Sequence, residues 1–131
     1  MTNQLTVLVA DDHPVIRDTA AQILEEAGHN VRTAADGAEA LRKLSCAWFD
    51  VLVTDVLMPG MDGIQLIGEV RRRHPGVRIM AMSAGCDGFS RHDFLKIASR
   101  LGAGAVIEKP FAPNQLIERL AYLCPSSAAA M

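Results

Sequence analysis

The sequence predicts an α/β fold, a doubly wound parallel sheet with helices on both faces. Two observations carry this. Short apolar runs, several β-branched, alternate with longer stretches patterned for helix, and there are five of each. Strict strand–helix alternation places neighbouring strands parallel, and right-handed crossovers then cover both faces of the sheet.

The first run is Leu5–Ala10. Pro14 stands where the first helix begins, since that position loses no hydrogen bond to a missing N–H. Ile16, Ala20, Ile23, Leu24 and Ala27 share one face of that helix, and Gly28 stops it. Val31–Ala34 is a weak second strand, and alternation implies a second helix after it. Val51–Val53, within FDVLVTD, is the third strand. Asp62–Gly63 supplies the turn and cap of the third helix, which His74–Pro75–Gly76 ends. Val77–Met82 is the fourth strand, and Phe94, Ile97, Ala98 and Leu101 form the inward face of the fourth helix. Ala103–Ile107 is the fifth strand. The last helix presents Leu116, Leu120 and Leu123, with Ile117 beside them.

Composition narrows the class. The chain has 131 residues, half of them hydrophobic, enough for one domain with its own core. We expect that domain over 1–124 and a short flexible tail over 125–131. A formal charge of −2 gives no reason to expect a DNA partner. Cys46, Cys86 and Cys124 are scattered, with no CxxC pair, so neither a zinc site nor a disulfide framework is indicated. A reduced, cytoplasmic setting fits. No run approaches a membrane span, and Leu5–Ala10 is too short for a signal-peptide core.

In a doubly wound sheet, ligands bind beyond the carboxyl ends of the strands. Asp11 and Asp12 follow the first strand, Asp55 the third, Ser83 the fourth and Lys109 the fifth. Two carboxylates about 4 Å apart repel by roughly 4 kcal/mol at an effective dielectric near 20. A hard dication held by oxygen ligands relieves that repulsion. Mg²⁺ binds through one or two carboxylates and often beside a phosphate. With Lys109 it neutralises three carboxylates and lets an anion approach. Aspartate is a phosphoryl-accepting nucleophile, and Mg²⁺ with lysine supplies the charge stabilisation that phosphoryl transfer needs. Asp55 stands alone on its strand end and is the candidate nucleophile. Asp11 and Asp12 are the candidate metal holders.

Each residue alone has a plainer reading. Asp11 and Asp12 suit the cap of helix one, Asp55 an Asx turn, and Ser83 and Lys109 polar loops. His13 reads as a polar loop residue. Arg71–Arg72–Arg73–His74 reads as a solvated helix end that favours the macrodipole. Met58, Met61, Met80 and Met82 read as packing residues. Gly102–Ala103–Gly104 lacks the spacing of a nucleotide loop.

Taken together, Asp11–Asp12, Asp55, Met58–Pro59–Gly60–Met61–Asp62–Gly63, Ser83–Ala84 and Lys109–Pro110–Phe111 resemble the response-regulator receiver domains of two-component signalling, chemotaxis-receiver-like. The resemblance spans residue 5 to about residue 123. It implies a flavodoxin-like (βα)5 fold with strand order 2-1-3-4-5. It implies that Asp55 takes a phosphoryl group from a phosphohistidine of a sensor histidine kinase or histidine phosphotransferase. By the same resemblance Asp12, Asp55 and the backbone carbonyl of Leu57 bind Mg²⁺, and Asp11 holds it through water. Lys109 and Ser83 contact the phosphoryl oxygens, and Pro110 follows a cis peptide bond. Such a protein is a phosphoacceptor that resets itself and acts through a protein target, in a phosphorelay or as a drain for a kinase's phosphoryl groups, not a turnover enzyme.

The chain departs from the family pattern in three respects. Val106 stands where an aromatic switch residue is common. The interval from Ser83 to Lys109 is a few residues longer, which predicts an enlarged loop over Gly85–His92. No output domain is evident, so a stand-alone receiver is expected. Other function classes fit less well. An aspartyl-phosphate hydrolase commonly carries a second Asp two positions after the nucleophile, where this chain has Leu57. A flavin binder needs a Ser/Thr/Gly-rich first loop, where this chain has Asp11–Asp12. A degenerate, binding-only receiver would have lost site residues that are all present here.

Overall fold

The computed structural model describes residues 4–58, 60–83 and 91–125. Five strands and five helices alternate: β1 (Thr6–Ala10), α1 (Pro14–Glu26), β2 (Asn30–Ala34), α2 (Gly37–Cys46), β3 (Val51–Asp55), α3 (Gly63–Arg73), β4 (Arg78–Ser83), α4 (Arg91–Leu101), β5 (Ala105–Glu108) and α5 (Pro113–Leu123). All strand pairs are parallel, in the order β2-β1-β3-β4-β5. The predicted fold class and strand order are those observed.

Side chains alternate across the sheet and so build two cores. Leu8, Leu52 and Ile79 face α2 and α3, packing with Leu41, Leu44, Leu66, Ile67 and Val70. Val7, Val9, Val53, Met80 and Met82 face the other way, against Leu24, Leu116 and Leu120 of α1 and α5. The central strands β1 and β3 are thus buried on both faces, which is why their sequences read as continuous apolar runs. β2 lies at the sheet edge with alternate residues exposed, which explains its weak pattern.

Capping fixes where helices begin. Asp62 caps α3 by accepting the Gln65 N–H at 2.8 Å. At α2, Asp36 accepts the Glu39 N–H at 2.8 Å, while Glu39 reaches back to accept the Ala35 N–H. That acidic cap followed by Glu three positions later is a sequence signal that locates the second helix. The N-cap of α1 is His13, so neither Asp11 nor Asp12 holds that position.

Some boundaries and faces differ from expectation. β5 begins at Ala105, two residues late, because Gly102 ends α4 in a left-handed conformation (φ +123°) and Ala103–Gly104 complete the turn. On α4, Ala98 is buried, but Ile97 and Leu101 are each 41% exposed, and on α5 Ile117 is 39% exposed. These three border the buried face instead of lying within it. α4 begins at Arg91, so the expected loop is shortened by two residues at its end. The remainder of that loop, Pro59, Ala84, Cys86, the tail beyond Pro125 and the Phe94 side chain lie outside the described residues. Cys46 and Cys124 are free thiols. Among the described residues no helix is long and apolar enough to cross a membrane.

Candidate functional site

The carboxyl ends of β1, β3, β4 and β5 converge. Asp55 is the last residue of β3 and Ser83 the last of β4. Asp11 directly follows β1, anchored by its N–H to the Ala34 carbonyl at 3.1 Å. Lys109 follows β5, anchored by its N–H to the Ser83 carbonyl at 3.0 Å. The Lys109–Pro110 peptide is cis, as expected.

Asp11, Asp55, Ser83 and Lys109 are all buried. The Lys109 ammonium donates to Asp11 Oδ2 at 2.8 Å and lies 3.3 Å from Asp55 Oδ1. One cation thus bridges two carboxylates from different strands. It does not fully offset their burial. Desolvation lifts the Asp55 carboxyl to about 6, and the neighbouring Asp11 charge adds to the lift. Lys109 and the Leu57 N–H, both hydrogen-bonded to it, pull the other way.

Asp12 is less covered, yet its Oδ1 is buried and has no hydrogen-bond partner. A buried, unpaired carboxylate oxygen is costly unless something cationic meets it. Asp11, Asp12, His13 and Asp55 each offer a ligand atom, all within 4.8 Å of one another. The oxygen-rich donor set and the orphaned Asp12 oxygen fit a hard dication such as Mg²⁺.

The backbone below the nucleophile leaves no slack. Gly63 donates its N–H to the Val56 carbonyl at 2.8 Å, so close that a Cβ there would lie 2.0 Å from the Asp55 carbonyl oxygen. The Gly of the MDG run therefore holds the loop after Asp55 against the start of α3. The Leu57 side chain beside it is 37% exposed.

The five expected side chains are therefore brought together at one edge. His13, read from sequence as an ordinary loop residue, joins them. Its Nδ1 lies 3.4 Å from both Asp11 Oδ1 and Asp12 Oδ1. Adjacency to the acidic pair was the only signal for it. Val106 is partly buried and lines a groove of about 660 Å³ between α4 and α5, with Lys96, Arg100 and Arg119 around it.

Residues 7–121 match the family model described as the response regulator receiver domain. The chain belongs to that family. Its relatives place the receiver domain in very different contexts. It is 35% identical over 101 residues to the sensor protein EvgS of Escherichia coli K12, covering 77% of this chain and 8% of that protein. It is 36% identical over 121 residues to an uncharacterised 14.6 kDa protein in the sodA1 3′ region of Leptolyngbya boryana, covering 92% and 91% of the two chains. Among solved structures, the chemotaxis response regulator CheY4 of Vibrio cholerae superposes with a TM-score of 0.82 at 32% identity, covering 92% of this receiver and 99% of that chain.

Proposed function

We propose that this receiver domain is a Mg²⁺-dependent phosphorylation switch whose phosphoacceptor is Asp55. The observation that carries the reading is the Lys109 ammonium held between Asp11 and Asp55, beside the unpartnered Asp12 oxygen. An Asp55 oxygen forms a bond to phosphorus as the P–N bond of a phosphohistidine breaks, and the imidazole leaves. Asp12, Asp55 and the Leu57 carbonyl would hold Mg²⁺, with Asp11 behind a bound water. When bound, the metal neutralises charge on the transferring phosphoryl oxygens. Lys109 neutralises a further oxygen, and the Ser83 hydroxyl donates to another, drawing the end of β4 inward. Hydrolysis of the acyl phosphate returns the carboxylate and inorganic phosphate. The protein is thus consumed and reset, and is not a turnover enzyme.

The partner that supplies the phosphoryl group is a sensor histidine kinase or histidine phosphotransferase. An apolar groove of about 360 Å³, lined by Val15, Ile16, Ile23, Pro110 and Phe111, adjoins Lys109 and offers such a partner an apolar contact surface. The phosphorylated domain acts through a protein target or passes the group along a phosphorelay, in the cytoplasm, with neither DNA nor membrane as its own partner.

The test is incubation with a small phosphoryl donor, with and without Mg²⁺, read by intact mass. A gain of one phosphoryl group that needs Mg²⁺ and vanishes in Asp55→Asn is expected. No gain, under conditions that label another receiver, would leave a binding-only domain.

A further inference from the structure

We propose that Arg17 is a positioning residue for the switch: its guanidinium, reaching back from α1, fixes the peptide between Asp11 and Asp12. The inference rests on the switch reading above, because it assumes that the two aspartates meet a cation.

The segment that follows β1 is tied on both sides of Asp11. The Asp11 N–H donates to the Ala34 carbonyl of β2 at 3.1 Å. The Asp11 carbonyl accepts from Arg17 Nη1 at 3.2 Å. That carbonyl belongs to the peptide that leads into Asp12. Because a peptide is planar, holding its oxygen also fixes the direction in which Asp12 leaves it. Asp12 is the residue with a buried, unpartnered Oδ1, so a small rotation there moves the oxygen that most needs a cation.

The contact explains an otherwise unfavourable placement. Arg17 lies near the start of α1, where a cation opposes the helix dipole, and the first turn has no acidic residue to offset it. The side chain is nonetheless only 19% exposed. Among the described residues the carboxylate beside it, Asp18 Oδ1, is 3.9 Å from Nε, too far for a hydrogen bond. The Asp11 carbonyl is thus the partner that holds the guanidinium in place.

Charge and position predict opposite effects. By Coulomb repulsion alone, removing a positive charge beside the pocket strengthens the binding of another cation. Removing the group that aims Asp12 weakens it.

The Mg²⁺ affinity of the full chain, read by calorimetry, tests this. Arg17→Met keeps a long apolar stem and loses both donor and charge. It is expected to lower Mg²⁺ affinity about tenfold. A single hydrogen bond does not need the guanidinium fork, so Arg17→Lys is expected to recover affinity to within about threefold of wild type. Asp18→Asn is expected to leave it unchanged. With a small phosphoryl donor, Arg17→Met is expected to need about tenfold more Mg²⁺ and, once saturated, to label within about twofold of the wild-type rate. Unfolding in metal-free buffer shows whether each variant is folded. If Arg17→Met is not, Arg17→Gln, shorter and uncharged, takes its place with the same expectations. Mg²⁺ affinity unchanged or raised by loss of Arg17 overturns the inference. So does a loss that Arg17→Lys does not recover, or a slow rate that saturating Mg²⁺ does not restore. If the wild type itself binds no Mg²⁺ and takes no phosphoryl group, the switch reading fails, and this inference with it.

Discussion

Asp55 combines burial with a charge, and that combination has a measurable cost. Its carboxyl titrates near 6 in the folded protein against 3.8 as the ordinary value. A raised folded value means that protonation favours the folded state. The associated stability is complete below about pH 4 and is lost as pH rises through 6. In metal-free buffer at pH 7.5, Asp55→Asn is therefore expected to be more stable than wild type by about 1–2 kcal/mol. This is less than the roughly 3 kcal/mol that two pKa units represent, because Asn weakens the tie to Lys109. The gain shrinks as pH falls towards 4. Urea unfolding at both pH values measures it, and equal stabilities at pH 7.5 would count against a charged, poorly compensated Asp55. Leu57 bears on a different property. Its side chain stands exposed two residues past the nucleophile. Leu57→Asn is expected to change the phosphoryl decay rate, read as the half-life of the labelled protein, and an unchanged half-life removes that role.

At the scale of single elements, the junction of β3 and α3 is the stiffest part of the site. Gly63→Ala would drive a Cβ into the backbone of Asp55 and Val56, where no side chain can rotate away. The expected loss is about 2 kcal/mol or more, by thermal or urea unfolding, with Mg²⁺ affinity reduced as well because Asp55 moves. Gly104→Ala is the useful contrast, since its Cβ would crowd only the far end of the Leu123 side chain, with the Ile79 carbonyl at an ordinary 3.9 Å. Elements also differ in how legible they were. Strands β1 and β3, buried on both faces, announced themselves as apolar runs, and Asp62–Gly63 marked α3. β2 was faint because an edge strand needs only half its residues apolar. The inward face of α4 was drawn too wide: helical periodicity identifies a stripe, while the neighbours decide how much of the stripe is covered, and Ile97 and Leu101 lie at its border.

The whole molecule explains why the site could be read at all. Strand order puts β1 between β2 and β3, with β4 and β5 beyond, so residues that directly follow strands end on one edge. The aspartates, Ser83 and Lys109 were found by that rule. His13 was not, because chain position cannot say which way a ring turns. The assembled edge links metal binding to global stability. A cation bound only by the folded state stabilises it by about 1.4 kcal/mol at ten times its dissociation constant. Mg²⁺ is expected to raise the unfolding midpoint of wild type in a concentration-dependent manner and to do so much less for Asp12→Asn. A midpoint indifferent to Mg²⁺ would mean that the acidic edge holds no such ion.

The Lys109–Asp11 pair joins residues 98 positions apart. During synthesis the amino-terminal part of a chain emerges and begins to organise first. The carboxylates of β1 and β3 are then present well before the lysine that balances them. Until β5 is added, a growing chain has the acid but not its counter-charge, so this edge of the sheet is balanced only when its last strand arrives.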